Sequence, residues 1–267
     1  MQASIRLVIP FAFVIAELIT GCAGGNLGGE RAAEQPKSQQ VATSDVQQRA
    51  KVHTELGSLY LQRGSIAVAL DEGRAALSAD PNYAPAHNLM GLAYMQLREN
   101  AAAEKSFEQA LGLAPSDPEI NNNFGWFLCQ TGREQRSLSY FNVAIKSPLY
   151  ATPSMPNTNA GICLLRLKDD KGAEDYFMRA LRLDPKNPKA ILFLADIGYR
   201  QGRLAAARLH LAELHKLVEP SSESLWLAVR IERKLGDREA EVQFASQLQR
   251  KFPGSPEQLK LTQGQYE

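Results

Sequence analysis

The chain has 267 residues, 44% hydrophobic and 22% charged, a balance that belongs to ordered soluble proteins and excludes disorder along its whole length. Thirty Lys and Arg against 29 Asp and Glu leave a net charge of +1, which provides no electrostatic footprint for nucleic acid or for anionic lipid headgroups. Any partner has to be recognised by shape and local chemistry.

Residues 7–18 are an apolar run behind Arg6, broken only by Glu17. It is shorter than the roughly 20 residues that a membrane-spanning helix needs, and it predicts a signal peptide over residues 1–21. The run leads into Ile19, Thr20, Gly21 and Cys22. These four resemble the lipobox of bacterial lipoproteins, in which small residues admit the peptidase and a cysteine thiolate takes up the diacylglycerol. The resemblance implies cleavage before Cys22 and acylation of Cys22, palmitate included. In that family an aspartate after the cysteine retains the protein at the inner membrane; Ala23 stands there instead, as in the outer-membrane class. Residues 22–45 are rich in Gly, Gln, Ser and Glu and predict a flexible tether. Their glycine doublets do not follow a strand, so a phosphate-binding loop is excluded.

From there the sequence repeats. Gly57, Gly91, Gly125, Gly161, Ala195 and Val229 are spaced by 34, 34, 36, 34 and 34 residues. The repeats within residues 46–254 then run 50–83, 84–117, 118–153, 154–187, 188–221 and 222–255, and residues 256–267 form a C-terminal tail. Position 20 reads Ala69, Ala103, Ser137, Ala173, Ala207 and Glu241, and position 27 reads Ala76, Ala110, Ala144, Ala180, Leu214 and Leu248. Phe107, Phe141 and Phe177 recur at position 24, and Pro81, Pro115, Pro185 and Pro253 at position 32. Small residues let two helices approach closely, the aromatic fills the gap between repeats, and proline stops the second helix. This is the tetratricopeptide (TPR) pattern, and it predicts an all-α, right-handed superhelix of six helix-turn-helix repeats. The larger residues in repeats five and six predict a different packing angle there and a capping role. Two extra residues lengthen the third repeat at 147–153, as a partner loop or a tolerated insertion.

In the TPR family the concave face is built by positions 2, 5, 9, 12 and 13 of each first helix. Here those positions supply Asn88, Leu92 and Met95, then Asn122 and Trp126, then Ile162, Leu165 and Arg166, an apolar middle suited to an amphipathic or extended hydrophobic segment. Towards the end the face turns basic, with Arg200 and then Arg230, Arg233 and Lys234 beside Trp226. The competing reading is that the apolar positions are buried core.

Cys129 and Cys163 fall on neighbouring first helices, which leaves open a disulfide in an oxidising compartment or two buried thiols. His53 and His87 stand at position 4, where the repeat often has tryptophan, and read as packing residues. His210 and His215 are five apart on one helix and cannot share a ligand face. Neither a metal site nor a Ser/His/acid or Cys/His constellation can be placed, so the sequence predicts a non-enzyme without cofactor or small-molecule substrate.

Two stretches are more specific than the repeat itself: Asn121 through Cys129, reading NNNFGWFLC, and Asn159 through Cys163, reading NAGIC. Together with the lipobox, six repeats of this spacing and residues 220–236, they resemble the PilF/PilW lipoproteins of type IV pilus biogenesis. Phe124, Trp126 and the position-4 histidines are variants on that pattern. The resemblance implies a pilotin, a lipid-anchored outer-membrane protein that binds the secretin subunit and promotes its localisation and multimerisation. The alternative is another periplasmic TPR lipoprotein, serving outer-membrane protein assembly or peptidoglycan synthesis.

Overall fold

The computed structural model describes residues 35–266, and among them are thirteen α-helices and no strand. Six antiparallel pairs follow one another: α1 (Asp45–Gln62) with α2 (Ile66–Ala79), α3 (Ala84–Gln96) with α4 (Asn100–Leu113), and α5 (Pro118–Gln130) with α6 (Glu134–Ile145). Then come α7 (Ser154–Arg166) with α8 (Asp170–Leu183), α9 (Pro188–Arg200) with α10 (Leu204–Leu217), and α11 (Ser222–Leu235) with α12 (Arg238–Lys251). Each second helix packs between the first helix of its own repeat and that of the next, so the first helices line one continuous face. The result is the expected all-α TPR superhelix of six repeats.

The close approach is visible at position 8. A Cβ on Gly91, Gly125 or Gly161 would sit 2.8, 2.9 or 2.7 Å from the ring of Phe107, Phe141 or Phe177. Each ring is fully buried against the glycine of its own repeat and reaches into the next, as Phe107 does with Phe124 and Phe127 at centroid distances of 5.8 and 5.6 Å. Second helices α2, α4, α8 and α12 all end two residues before the position-32 proline. In repeats five and six Leu214 and Leu248 are buried and fill the space that small residues leave elsewhere, while Glu241 pairs with Arg233.

Position 15, the turn inside each repeat, demands a left-handed backbone. Gly64, Gly132, Gly202 and Gly236 adopt φ of 75–79°, but Arg98 and Lys168 hold the same conformation at φ 62°.

Three expectations need correction. The last two repeats do not form the cap; α13 (Pro256–Thr262) does, lying on α11 and α12 where a seventh repeat would continue the stack. His53 and His87 are not packing residues: position 4 points to the repeat's edge, where His53 Nδ1 lies 2.6 Å from Glu72 and His87 Nε2 lies 2.9 Å from the Pro81 carbonyl. The flexible tether drawn to residue 45 is held well before it. α1 begins at Asp45, capped by Ser44, and a short 3-10 turn at Lys37–Gln39 is fastened to the third repeat. The Lys37 amide donates to Asp117 at 2.6 Å, and the Ser38 hydroxyl donates to Glu119 at 2.6 Å. Asp117 can do this because its other oxygen caps α5, accepting from the Glu119 and Ile120 amides. The earlier part of the predicted tether, the signal peptide and Cys22 lie outside the described residues.

The open question about the cysteines is settled: Cys129 and Cys163 form a disulfide, Cα to Cα 5.9 Å, that staples α5 to α7.

Three outcomes follow from this packing. Lys168→Gly or Arg98→Gly relieves the left-handed strain at a cost in unfolded-chain entropy, for a net gain of about 0.5–1 kcal/mol in urea unfolding. Replacing Cys129 and Cys163 together by serine opens a 34-residue loop. The expected loss is roughly 3–4 kcal/mol in the same assay. Burial, aided by the nearby Asp117 charge, raises the Glu119 pKa above its ordinary 4.5. The native state therefore holds this proton more tightly than the unfolded chain, and stability falls as pH rises through the native pKa. Glu119→Gln, neutral throughout and still an acceptor for Ser38, should melt above wild type at pH 7, the difference closing below pH 4.5.

Candidate functional groove

The face lined by first helices carries two concave stretches. The N-terminal one, about 310 Å³, is bounded by Thr54, Leu59, Pro85, Asn88, Leu92 and Glu119, with Ser38 of the docked segment on its wall. Tyr83 lies at its edge, its hydroxyl pushed up to about 12 by burial and by the carboxylates of Glu55, Asp80 and Glu119. The C-terminal stretch is larger, about 670 Å³, with Trp126 of α5, Ile162 of α7, Leu192 and Phe193 of α9, and Trp226 and Leu227 of α11 as its apolar lining. Charged residues border it: Lys189, Asp196, Glu223, Arg230, Glu257 and Lys260.

The larger stretch spans α5, α7, α9 and α11. Side chains join α7 to α9 beneath it: Asn187, at the start of α9, donates to Thr158 at 3.0 Å, and Leu164 shares a core cluster with Leu194 and Ile197. Phe193 stacks on the buried Phe177 at 5.2 Å.

The predicted groove residues separate into distinct roles. Trp126, Ile162 and Arg230 line the C-terminal stretch half-exposed, and Leu92 lines the N-terminal one. Met95 and Leu165 are half-buried and pack onto cores beneath the face. Asn88, Asn122 and Trp226 are more deeply placed than a contact surface requires, at 5%, 1% and 5% exposure. Trp226 fits the competing reading of an apolar position as core, and the two asparagines are buried polar residues that neither reading anticipates.

Asn88 and Asn122 can be buried because each pairs with a half-buried asparagine on a neighbouring helix. Asn123 donates to Asn88 at 3.3 Å, Asn122 to Asn123 at 3.3 Å, and Asn159 to Asn122 at 3.0 Å. This chain of amides stitches α3, α5 and α7 along the inner face, and in a buried setting every satisfied amide fixes helix register. Asn123 is not among the expected groove residues; its signal is the run of three asparagines, of which Asn122 bonds to α7, Asn123 to α3, and Asn121 to the Pro115 and Asp117 carbonyls at the start of α5.

Arg166 also serves structure. It donates to the Cys129 carbonyl at 2.7 Å and to Gln130 at 3.0 Å, closing the end of α5 beside the disulfide. Arg200 binds Asp170 and Asp196. Arg233 is exposed, pairs with Glu241 at 2.8 Å and lies 3.8 Å over the Tyr266 ring. Lys234 sits 4.4 Å over the Tyr199 ring. Residues 147–153 form a loop whose Tyr150 is buried and whose Leu149 is exposed.

Among the described residues no group of three His, Cys, Asp or Glu side chains is placed to hold a metal ion. What the face offers chemically is apolar contact area, with Trp126 half-exposed in it, bordered by cations and carboxylates.

Comparison with known proteins agrees with this architecture. A tetratricopeptide-repeat family model matches residues 88–156 and 171–216. The type IV pilus assembly protein PilF of Pseudomonas aeruginosa is 28% identical over 245 residues, 92% of this chain and 94% of that protein. The solved structure of Pseudomonas aeruginosa PilF superimposes with a TM-score of 0.77 at 27% identity, covering 83% of this chain and all of that one. The crystal structure of PilW, described as a widely conserved type IV pilus biogenesis factor, gives a TM-score of 0.74 at 33% identity over 80% of this chain and 98% of its own. With that identity along nearly the whole of PilW and the same stack of repeats, the chain belongs to the PilF/PilW family of TPR proteins of type IV pilus biogenesis.

Proposed function

We propose that this type IV pilus biogenesis protein is a pilotin: a non-enzymatic lipoprotein, anchored through Cys22 to the periplasmic face of the outer membrane, that binds the pilus secretin subunit. The observation that carries this reading is the apolar C-terminal stretch of the groove, about 670 Å³, with Trp126, Ile162, Leu192 and Phe193 half-exposed along it. A water-exposed cleft of that composition is unfavourable unless something apolar covers it in use. A secretin subunit destined for the outer membrane has to cross the periplasm with such surface exposed. Held in the groove, an apolar segment is shielded in transit, and the acyl chains deliver the complex to the membrane where subunits assemble. A single acyl chain gives only reversible attachment, so the several chains of a lipoprotein cysteine suit stable delivery.

The test is membrane fractionation of cells carrying Cys22→Ser beside wild type, blotting this protein and the secretin's heat-resistant multimer. The expected result is a variant that leaves the outer membrane, with the multimer replaced by mislocalised monomer. A secretin multimer unchanged in both the variant and a full deletion overturns the pilotin reading.

A further inference from the structure

Among the charged residues of the C-terminal stretch, Arg230 is held by aromatic rings and by no carboxylate. Arg230 projects from α11 with its guanidinium carbon 4.6 Å from the Tyr199 ring centroid and 5.7 Å from that of Trp226. Trp226 is stacked in turn on Tyr266, centroids 5.5 Å apart. A planar cation resting on two rings, one of them backed by a third, presents its N–H fork in a set orientation. Yet no acceptor among the described residues receives a hydrogen bond from it, and its Nε is buried without any partner. The other arginines along this face are engaged: Arg166 by a carbonyl, Arg200 by two aspartates, Arg233 by Glu241. A desolvated donor without an acceptor is unfavourable, so the isolation of Arg230 stands out.

None of the three carboxylates that border the stretch is bonded to Arg230. Asp196 is already bound by Arg200 at 2.9 Å. Glu223 has its pKa lowered by hydrogen bonds from its own backbone amide and from Ser221 and Ser222, which tie its carboxylate to the start of α11. Glu257 lies in the first turn of α13, at the rim. Lys189 and Lys260 line the same stretch, and neither forms an ion pair with a described residue.

We propose that this stretch receives an apolar partner segment bearing an acidic side chain, whose carboxylate is taken by the Arg230 fork while neighbouring apolar residues lie on Trp126, Ile162 and Phe193. Guanidinium and carboxylate match as a bidentate pair, and the low-dielectric aromatic walls strengthen it. Lys260 on α13 lines the same stretch as Arg230. We assign the carboxylate to an internal Asp or Glu, with a free chain terminus as the alternative that the experiment separates. The inference rests on the groove being the partner site, and adds what chemistry it selects.

The experiment uses the detergent-solubilised full chain and three acetylated twelve-residue peptides of leucine, phenylalanine and serine. The first carries one central glutamate and an amidated end, the second glutamine in its place, and the third glutamine with a free C-terminal carboxylate. Binding is followed by the fluorescence of Trp126 and Trp226, the protein's two tryptophans, both in this stretch. The glutamate peptide is expected to bind roughly tenfold more tightly than the glutamine peptide, the discrimination of one charge-assisted pair. Arg230→Gln should bring the ratio of the two affinities to about one. Arg230→Lys, which keeps the charge and the fold but not the fork, should give an intermediate ratio.

Equal binding of the first two peptides to wild type overturns the carboxylate preference and leaves groove binding standing. Arg230 variants that weaken both peptides alike overturn it too, by showing a structural role. Preference for the third peptide alone overturns the internal assignment. Failure of all three to bind overturns both this inference and the groove reading beneath it.

Discussion

At position 8 of each repeat a helix backbone is approached so closely that in repeats two to four only glycine fits. Gly91, Gly125 and Gly161 each lie flat against a phenylalanine ring of the partner helix, and an added Cβ would stand under 3.0 Å from ring atoms. Because each ring also reaches the following repeat, a single contact sets the distance within a pair and couples that pair to the next. No repeat can bury its apolar face alone, so stability and curvature both propagate through these contacts. The groove inherits its shape from them.

Two further devices make the middle of the array stiffer than its ends. The asparagine chain through Asn88, Asn123, Asn122 and Asn159 ties α3, α5 and α7 through paired amides, and the Cys129–Cys163 disulfide staples α5 to α7. Trp126 and Ile162 of the larger stretch stand on these two stapled helices. A rigid wall of this kind favours binding, because it loses little freedom when a partner orders against it. The docked residues 37–39 act at the other end, where they give the narrower stretch a wall from outside the repeats.

Repeat number, helix order and the identity of the close contacts were legible in the sequence. They depend on local periodicity: glycine and alanine at fixed positions, an aromatic sixteen residues after the glycine, and a proline that ends the second helix all act within one repeat or its immediate neighbour. First helices α3, α5, α7, α9 and α11 open at the residues that begin repeats two to six, because helix punctuation is short-range. The docking of residues 36–44 was not legible. Its composition reads as tether, and the acceptors that hold it, Asp117 and Glu119, lie some eighty residues away.

The groove shows the same division. By itself the sequence determined that a face built from first helices carries Trp126, Ile162, Trp226 and Arg230, since the repeat period alone assigns a residue to that side. Only the tertiary structure decided which of those side chains remain available. Asn122 is spent on a neighbouring amide and Arg166 on a carbonyl at the end of α5, whereas Arg230 rests on Tyr199 and Trp226 with no acceptor. Periodicity specifies direction around a helix axis, but partner and exposure depend on the distance between helices, which is set by packing summed over the whole stack.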